Sequence, residues 1–333
     1  MGVILMELTD DNYYQTKMLS VSSVRLFAQN PARALADFTG QCPWFDNLKA
    51  LPLGSAFHDM LERAIRYTCN KENVEQTFNK VKGDNWPEIL AKRAEEYAAD
   101  KVEREMCTSD DYKDIRKKNG ELTAEASKVS IWFHIMWNSD VMQDAAVRAM
   151  LSTKDDNIEV IPEKPFIGSY KSEGQEIRYK GKPDLFIVDH EAKQIDAFDY
   201  KTSHPFDPSG MDWGDDIQGN HRYMPIEWMA EKLFPWQAGV YRQLLWDNGY
   251  KDYQIRYRYL VITKEKTPRL NVFTISDESM DEGYSQFCDW LVRAHGYIIG
   301  DLEAPLIQDG SKYANMQTYK HPLQFTSYPY KAD

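Results

Sequence analysis

The segments GKPDLFIV at residues 181–188 and DAFDYKT at residues 196–202 decide the fold of this chain. The first segment ends in a fully apolar run, which predicts a buried strand. The second alternates apolar and polar residues, as a strand with two different faces does. The polar residues 189–193 between them predict a turn, so the two strands are expected to form a hairpin.

This hairpin would bring three charged side chains together. Asp184 begins one strand, and Asp199 and Lys201 end the other, at the same edge of the sheet. Because side chains alternate along a strand, Asp199 and Lys201 share one face while Tyr200 points to the other. Taken singly, each residue is more often a turn carboxylate or a solvated lysine. The joint pattern at the ends of two apolar strands instead favours a functional site.

Two carboxylates beside an ammonium group suit metal-dependent hydrolysis of a phosphodiester. Hard carboxylate oxygens next to open coordination positions prefer Mg²⁺ or Mn²⁺. Such an ion polarises a phosphate oxygen and lowers the pKa of a bound water, while Lys201 orients that water or neutralises developing charge. The carbonyl of Tyr200 could supply a further metal ligand.

At this point the sequence resembles the PD-(D/E)XK nuclease superfamily, with Pro183-Asp184 and Asp199-Tyr200-Lys201 as the signature. Continued by a threonine, the second motif resembles more narrowly the RecB/RecE-type exonuclease branch. The opening of the chain, residues 8–22, resembles phage and prophage proteins of the exodeoxyribonuclease VIII type.

Two further motifs strengthen the resemblance. The segment FPWQAGVY at residues 234–241 resembles the branch's Q-x-x-x-Y helix, and GSAFHDML at residues 54–61 resembles its G-x-A-x-H helix. Gln237 and Tyr241 are four residues apart, so they share a helical face that could meet a phosphate or the metal site, or form an ordinary helix surface. His58 adjoins an apolar stripe and, read alone, is more often structural than a ligand. All four motifs occur in the family's order.

The resemblance implies an α/β fold of the restriction-endonuclease type, a central mixed sheet flanked by helices, preceded by an N-terminal helical region. It implies a catalytic set of Asp184, Asp199 and Lys201. It also implies Mg²⁺ or Mn²⁺ as the cofactor, with metal ligands Asp184, Asp199, Tyr200, His58 and Glu163. Glu159 competes with Glu163 for the last position.

DNA contacts are expected from five residues, Gln237, Tyr241, Lys182, Trp213 and Arg222. The last two belong to an insertion at residues 203–226, rich in Pro, Gly and Asp, which is expected to be an ordered loop. Its aromatic residues could stack on bases and shape a DNA channel, or the insertion could be a surface flap.

Helical spacing is expected in six segments, 20–38, 55–68, 86–107, 123–151, 227–248 and 281–299. Strands are expected at 158–170 and 175–179, as a hairpin, and at 253–263 and 270–275. The expected organisation is a helical region at 1–157 that contributes His58, a nuclease core at 158–300 and an extension at 301–333, together one compact domain.

Composition narrows the function further. With 42% apolar and 28% charged residues the chain is typical of a soluble globular protein, and its net charge of −12 argues against binding nucleic acid by bulk electrostatics. No run approaches the roughly 20 apolar residues of a membrane span, and the start lacks a basic signal region, so neither a membrane nor secretion is expected. The four cysteines are scattered and only Cys288 lies in the C-terminal half, whereas iron–sulfur relatives cluster three there, so no such cluster is expected.

The resemblance therefore implies a metal-dependent exonuclease that degrades linear duplex DNA, from 5′ to 3′, in phage-type recombination beside a single-strand annealing protein. Ring-forming relatives imply a homo-oligomer, and the phage or prophage resemblance implies the cytoplasm of a bacterial host. Two alternatives stay open. One is an endonuclease or end-processing nuclease, and the other is a catalytically silent DNA-binding protein on a nuclease fold.

Overall fold

The hairpin predicted from the two central segments is present in the computed structural model as antiparallel strands Leu185–Asp189 and Gln194–Ser203. This structure describes residues 8–9, 12–13, 16–40, 50–81, 83–203, 211–215, 221–225, 234–264 and 266–307. Across these residues no helix combines the length and the apolar character that crossing a membrane requires.

In chain order, the strands of the described residues are β1 (Leu19–Ser20), β2 (Ile158–Pro162), β3 (Phe166–Ser172), β4 (Gln175–Gly181), β5 (Leu185–Asp189), β6 (Gln194–Ser203), β7 (Met211–Asp215), β8 (His221–Pro225), β9 (Gln254–Thr263) and β10 (Leu270–Ile275). The α-helices of the described residues are α1 (Val21–Gln29), α2 (Pro31–Phe38), α3 (Ala50–Thr68), α4 (Lys71–Lys80), α5 (Trp86–Thr108), α6 (Val129–Trp137), α7 (Asp140–Leu151), α8 (Phe234–Leu245) and α9 (Asp277–Ile299).

The central sheet is mixed and has five strands in the order β10-β9-β6-β5-β2. Strands β6 and β9 pair in parallel, and the other neighbours are antiparallel. A second sheet has three strands in the order β1-β4-β3, and β7 pairs only with β8 within the described residues. The predicted restriction-endonuclease-like α/β class, a mixed sheet flanked by helices, is confirmed.

Alternation along the strands divides the core into two. Phe198 and Tyr200 of β6 pack with α3, α5, α6 and α7, and we call this the α3 side of the sheet. Ile195 and Ala197 of the same strand pack with α1, α8 and α9, which we call the α9 side. The central sheet is therefore buried on both faces, as its apolar strand sequences require.

The expected helix over residues 20–38 is two helices. Ser20 caps α1 with its side chain, as the sequence suggests, but the helix ends at Gln29. Pro31 has no N–H to continue the ladder, and the Asn30 side chain accepts a hydrogen bond from the backbone of Arg33, which starts α2 afresh. Helix α4 was not predicted, because it buries only Val74 and Thr77 and so shows no apolar stripe.

The expected strand over 158–170 is also divided. Residues of β3 form the predicted hairpin with β4 around a turn at Glu173 and Gly174, both with positive φ. Strand β2, however, pairs with β5 in the central sheet. The break falls at Glu163, whose φ of 48° places it in the left-handed region, where a strand cannot continue.

Two other segments differ from expectation. The insertion at 203–226 contains the hairpin β7–β8, so part of it is sheet, while residues 204–210 and 216–220 lie outside the described residues. Beyond α9, residues 301–307 return to α2, where Asn30 donates a hydrogen bond to the carbonyl of Ile307 at 2.8 Å. The rest of the expected C-terminal extension, 308–333, lies outside the description.

Candidate active site

The register of the central hairpin places Asp184 opposite Asp199. Leu185 pairs with Phe198, so the next residue outward on each strand is one of the two aspartates. The backbone N–H of Tyr200 donates a hydrogen bond of 2.6 Å to Oδ2 of Asp184, which ties the two strand ends together. Sequence reasoning placed these carboxylates side by side, and the structure brings them together.

The two faces of β6 separate its functional residues. Asp199 is completely buried on the α9 side, and the ammonium group of Lys201 lies against its Oδ1. Tyr200 is buried on the α3 side, where the ring of His58 from α3 meets it edge-on at 5.9 Å between centroids. Helix α3 thereby carries His58 to the same edge of the sheet.

His58, Glu163 and Asp184 form a group that could hold a metal ion. One ligand atom from each lies within 4.8 Å of the others, and Nδ1 of His58 is 3.4 Å from Oδ1 of Asp184. Ligands of a single divalent cation at about 2.1 Å lie roughly 3 to 4 Å apart, so small movements would suffice. The two carboxylates are donors that suit Mg²⁺ and Mn²⁺, whereas an imidazole nitrogen more often ligates transition metals.

The choice between Glu163 and Glu159 follows from the strand break. Glu163 lies opposite Asp184, whose carbonyl accepts its backbone N–H at 3.0 Å, and its left-handed backbone occurs just beyond the end of β2. Glu159 lies inside β2, opposite Val188, and accepts a hydrogen bond of 2.9 Å from the hydroxyl of Tyr250. Only Glu163 of the two is at the cluster.

Lys182 also belongs to this cluster. Its ammonium group is 2.7 Å from Oε2 of Glu163, and both side chains are largely buried. A DNA contact by Lys182 stays a prediction, because here the side chain pairs with a carboxylate of the protein itself.

Helix α8 brings the Q-x-x-x-Y residues onto the site. Nε2 of Gln237 donates to Oδ2 of Asp199 at 2.6 Å, and the hydroxyl of Tyr241 donates to the carbonyl of Lys182 at 3.2 Å. A Cβ atom at Gly181 would lie 2.7 Å from the Tyr241 ring, so the glycine allows this close approach. Both side chains therefore support site residues, and their contact with DNA stays a prediction.

Burial and neighbouring charges set the protonation of the two aspartates. Burial favours the neutral form of Asp184, but His58, Lys201 and the Tyr200 N–H outweigh it and lower its pKa. Burial raises the pKa of Asp199 to about 6, with Asp184 adding to the rise and Lys201 opposing it. The less readily ionised carboxylate is thus the one that lies against the lysine.

The remaining groups respond to the same charges. Burial would lower the pKa of Lys201, but Asp199 and Asp184 raise it, so the ammonium group stays charged. Burial also acts to lower the pKa of His58, and Asp184 reverses this and raises it. Burial raises the pKa of Glu163, with the charge of Glu62 adding to the rise and Lys182 acting against it.

The buried oxygens of Asp199 are not equivalent. Oδ2 accepts hydrogen bonds from Gln237 and from the Tyr257 hydroxyl, at 2.6 and 3.3 Å. Oδ1 is buried and pairs with the Lys201 ammonium group. The carboxylates of Asp184, Asp199 and Glu163 are hard oxygen donors at one sheet edge, so the residues present fit a divalent metal.

Tyr257, which lies on β9, is not predicted by any of the sequence motifs. Its signal was weak, since alternating tyrosines in a strand suggest only a buried face, and its meeting with Asp199 depends on the parallel register of β6 and β9. Trp213 and Arg222 lie on β7 and β8, and their side chains are outside the described residues.

A family model of the PD-(D/E)XK nuclease superfamily matches residues 18–318, which is most of the chain. The chain therefore belongs to the PD-(D/E)XK nuclease superfamily, whose members are hydrolases of phosphodiester bonds and typically depend on a divalent metal ion.

Solved structures show similarity of fold. The chain is similar to a presumed exonuclease from Eubacterium rectale, with a TM-score of 0.59 and 15% sequence identity, covering 98% of this chain and 96% of that one. A second structure, of the protein SSO0001, gives a TM-score of 0.27 and 13% identity over 78% of this chain and 97% of that one. No sequence among the curated proteins matches the chain.

Proposed function

We propose that this nuclease is a metal-dependent DNA exonuclease of the RecB/RecE type, with Asp184, Asp199 and Lys201 as its catalytic residues. The observation that carries the proposal is the meeting of the two aspartates at one sheet edge, with Lys201 against one and His58 against the other. The similarity of fold to a presumed exonuclease supports the exonuclease assignment.

The site's own side chains suggest how cleavage would proceed. His58, Glu163, Asp184, Oδ1 of Asp199 and the carbonyl of Tyr200 would hold Mg²⁺ or Mn²⁺. When bound, the ion would polarise the scissile phosphate and lower the pKa of a water molecule. Lys201, kept charged by the two aspartates, would orient the attacking water and offset negative charge on the phosphate.

The support around these residues fixes their positions. Gln237 holds one oxygen of Asp199, and the Tyr200 N–H holds one oxygen of Asp184. Fixed carboxylates need no reorganisation when the reaction begins, which is the main source of electrostatic catalysis. Lys182 would exchange its pairing with Glu163 for a phosphate as DNA enters, and Tyr241 would line the same entry.

The finer parts of the proposal rest on the sequence motifs. We propose digestion of linear duplex DNA from 5′ to 3′ in phage-type recombination, in the cytoplasm of a bacterial host, together with a single-strand annealing protein and as a homo-oligomer. Trp213 and Arg222, on the β7–β8 hairpin that follows Lys201 in the chain, would contact the DNA strands by stacking and charge.

The test is degradation of end-labelled linear duplex DNA with Mg²⁺ or Mn²⁺, beside EDTA and a circular duplex. Lys201→Ala removes the catalytic ammonium group, and Lys171→Ala, at an exposed position of β3, is the matched control. Metal-dependent loss of linear DNA alone, abolished only in Lys201→Ala, supports the proposal, and the labelled end reports polarity.

Other outcomes of the same assay select the alternatives. Cutting of circular DNA would make the chain an endonuclease. DNA binding without cleavage under any metal would make it a silent DNA-binding protein on a nuclease fold.

A further inference from the structure

Three tyrosines lie behind the buried carboxylate of Asp199. Tyr257 and Tyr259 of β9 and Tyr241 of α8 are buried on the α9 side, with centroids 5.4 Å apart for the first pair and 6.3 Å for Tyr241 and Tyr257. Of the three, Tyr257 donates its hydroxyl to Oδ2 of Asp199 at 3.3 Å.

Gln237 and Tyr257 both donate a hydrogen bond to the same oxygen of Asp199. Gln237 and Tyr257 approach Oδ2 from different elements, α8 and β9, so they fix the rotation of the carboxylate from two directions. The other oxygen, Oδ1, pairs with the Lys201 ammonium group. With Oδ2 engaged, Asp199 can offer a cation one oxygen, not two.

We propose that Tyr257 is a positioning residue that, together with Gln237, turns Oδ1 of Asp199 towards the catalytic cation and restricts the aspartate to one-oxygen coordination. This inference rests on the proposed metal-dependent nuclease function. It adds a residue that none of the sequence motifs contains.

The burial of the Tyr257 hydroxyl supports a specific role. Removing a hydroxyl from water carries a cost that only a hydrogen bond recovers, and phenylalanine would fill the same apolar space without that cost.

The test compares Tyr257→Phe with Tyr179→Phe. Tyr179 is as completely buried and also lies on the α9 side, and its hydroxyl oxygen is 3.5 Å from that of Tyr284. Each substitution removes one hydroxyl and keeps the ring. Mn²⁺ affinity is measured by calorimetry on the full chain without DNA, and thermal unfolding without metal confirms that both variants fold.

We expect Tyr257→Phe to weaken Mn²⁺ binding about tenfold, the size expected for one hydrogen bond to a charged acceptor, and Tyr179→Phe to leave it unchanged. Excess Mn²⁺ should restore cleavage by Tyr257→Phe, since the aspartate itself remains. Equal Mn²⁺ affinity in wild type and Tyr257→Phe, or no Mn²⁺ binding by wild type, would overturn the inference.

The same measurements distinguish a failure of the proposed nuclease function from a failure of the positioning role of Tyr257. If wild type binds Mn²⁺ but cleaves no DNA, the nuclease proposal is wrong while the effect of Tyr257 on the cation is still measured. If wild type cleaves DNA and Tyr257→Phe shows the same metal dependence, the function stands and the positioning role is refuted.

Discussion

Replacing Gly239 by alanine should displace helix α8, whose Gln237 holds Asp199 in the candidate active site. Helices α8 and α9 cross with their backbones in contact, and a Cβ atom at Gly239 would lie 2.2 Å from the carbonyl oxygen of Met280 and 2.8 Å from the backbone nitrogen of Tyr284. Gly283 on α9 shows the same relation to Pro235, at 2.2 Å. The atoms met are backbone atoms, so no side-chain rotation can relieve the overlap.

The magnitude follows from two opposing effects. Overpacking of this kind costs about 1–3 kcal/mol, and a rigid backbone partner places it at the upper end. Alanine gains about 1 kcal/mol over glycine inside a helix. The net loss is therefore about 2 kcal/mol. With an unfolding entropy of about 2.1 cal/mol/K per residue over the chain, this corresponds to a fall in Tm of about 3 °C.

The effect on activity should be larger. Normal van der Waals separation needs about 3.5 Å, so α8 must move by roughly 1 Å. Gln237 precedes Gly239 by two residues, and a shift of this size would stretch its hydrogen bond of 2.6 Å to Asp199 beyond the range of such bonds. A misplacement of about 1 Å can cost up to a hundredfold in rate.

The control is Gly54→Ala, the same change inside α3, where a Cβ atom would meet nothing within 4 Å. Thermal unfolding followed by circular dichroism should show Gly54→Ala unchanged or up to about 1 kcal/mol more stable. DNA cleavage by Gly239→Ala is measured in parallel. If Gly239→Ala has the stability and the cleavage activity of the wild type, the close backbone contact between α8 and α9 does not support the site.

Three further predictions concern charged groups. Burial opposes ionisation of Asp196, but hydrogen bonds and charges from three arginines outweigh it and lower the pKa of the carboxyl to about 2. The ionised carboxylate therefore contributes about 2 kcal/mol to stability above pH 4, and this contribution is lost as the pH falls towards 2. Asp196→Asn should destabilise the fold by about 3–5 kcal/mol at pH 7, and urea titrations should show this difference shrinking between pH 4 and 2. His58→Ala should weaken Mn²⁺ binding, measured by calorimetry, tenfold or more. The control His190→Ala removes a partner of the Tyr253 hydroxyl and should leave Mn²⁺ binding unchanged. Equal effects of the two substitutions would mean that His58 is not a metal ligand. Glu163→Gln should likewise reduce Mn²⁺ affinity, and Glu159→Gln should leave it intact; the reverse result would restore Glu159 as the ligand.

The central hairpin was predictable because its signals are local. An apolar run, a polar turn and an alternating run fix which residues face each other, so the meeting of Asp184 with Asp199 follows from the sequence alone. The choice of Glu163 was not predictable in this way, because it depends on a left-handed backbone that separates β2 from β3. A glutamate gives no local sign of that conformation.

The contacts of Tyr257 and Gln237 with Asp199 depend on pairing between segments that are distant in the sequence. Tyr257 reaches Asp199 only through the parallel register of β6 and β9, which are separated in sequence by a hairpin and a helix. The motif at 234–241 predicted a functional helix, but its resemblance did not indicate that Gln237 would hold the aspartate itself. Contacts between distant segments are set by the whole fold and leave little trace in local patterns.

The scattered origin of the site has a consequence for the chain during its synthesis. The side chains that meet at the sheet edge come from α3, from the end of β2, from the central hairpin and from α8, so the set spans residues 58 to 241. A ribosome must therefore translate most of the message before the proposed active site can assemble. A nascent polypeptide that has reached only Lys201 still lacks Gln237 to orient Asp199, which delays activity until folding is well advanced.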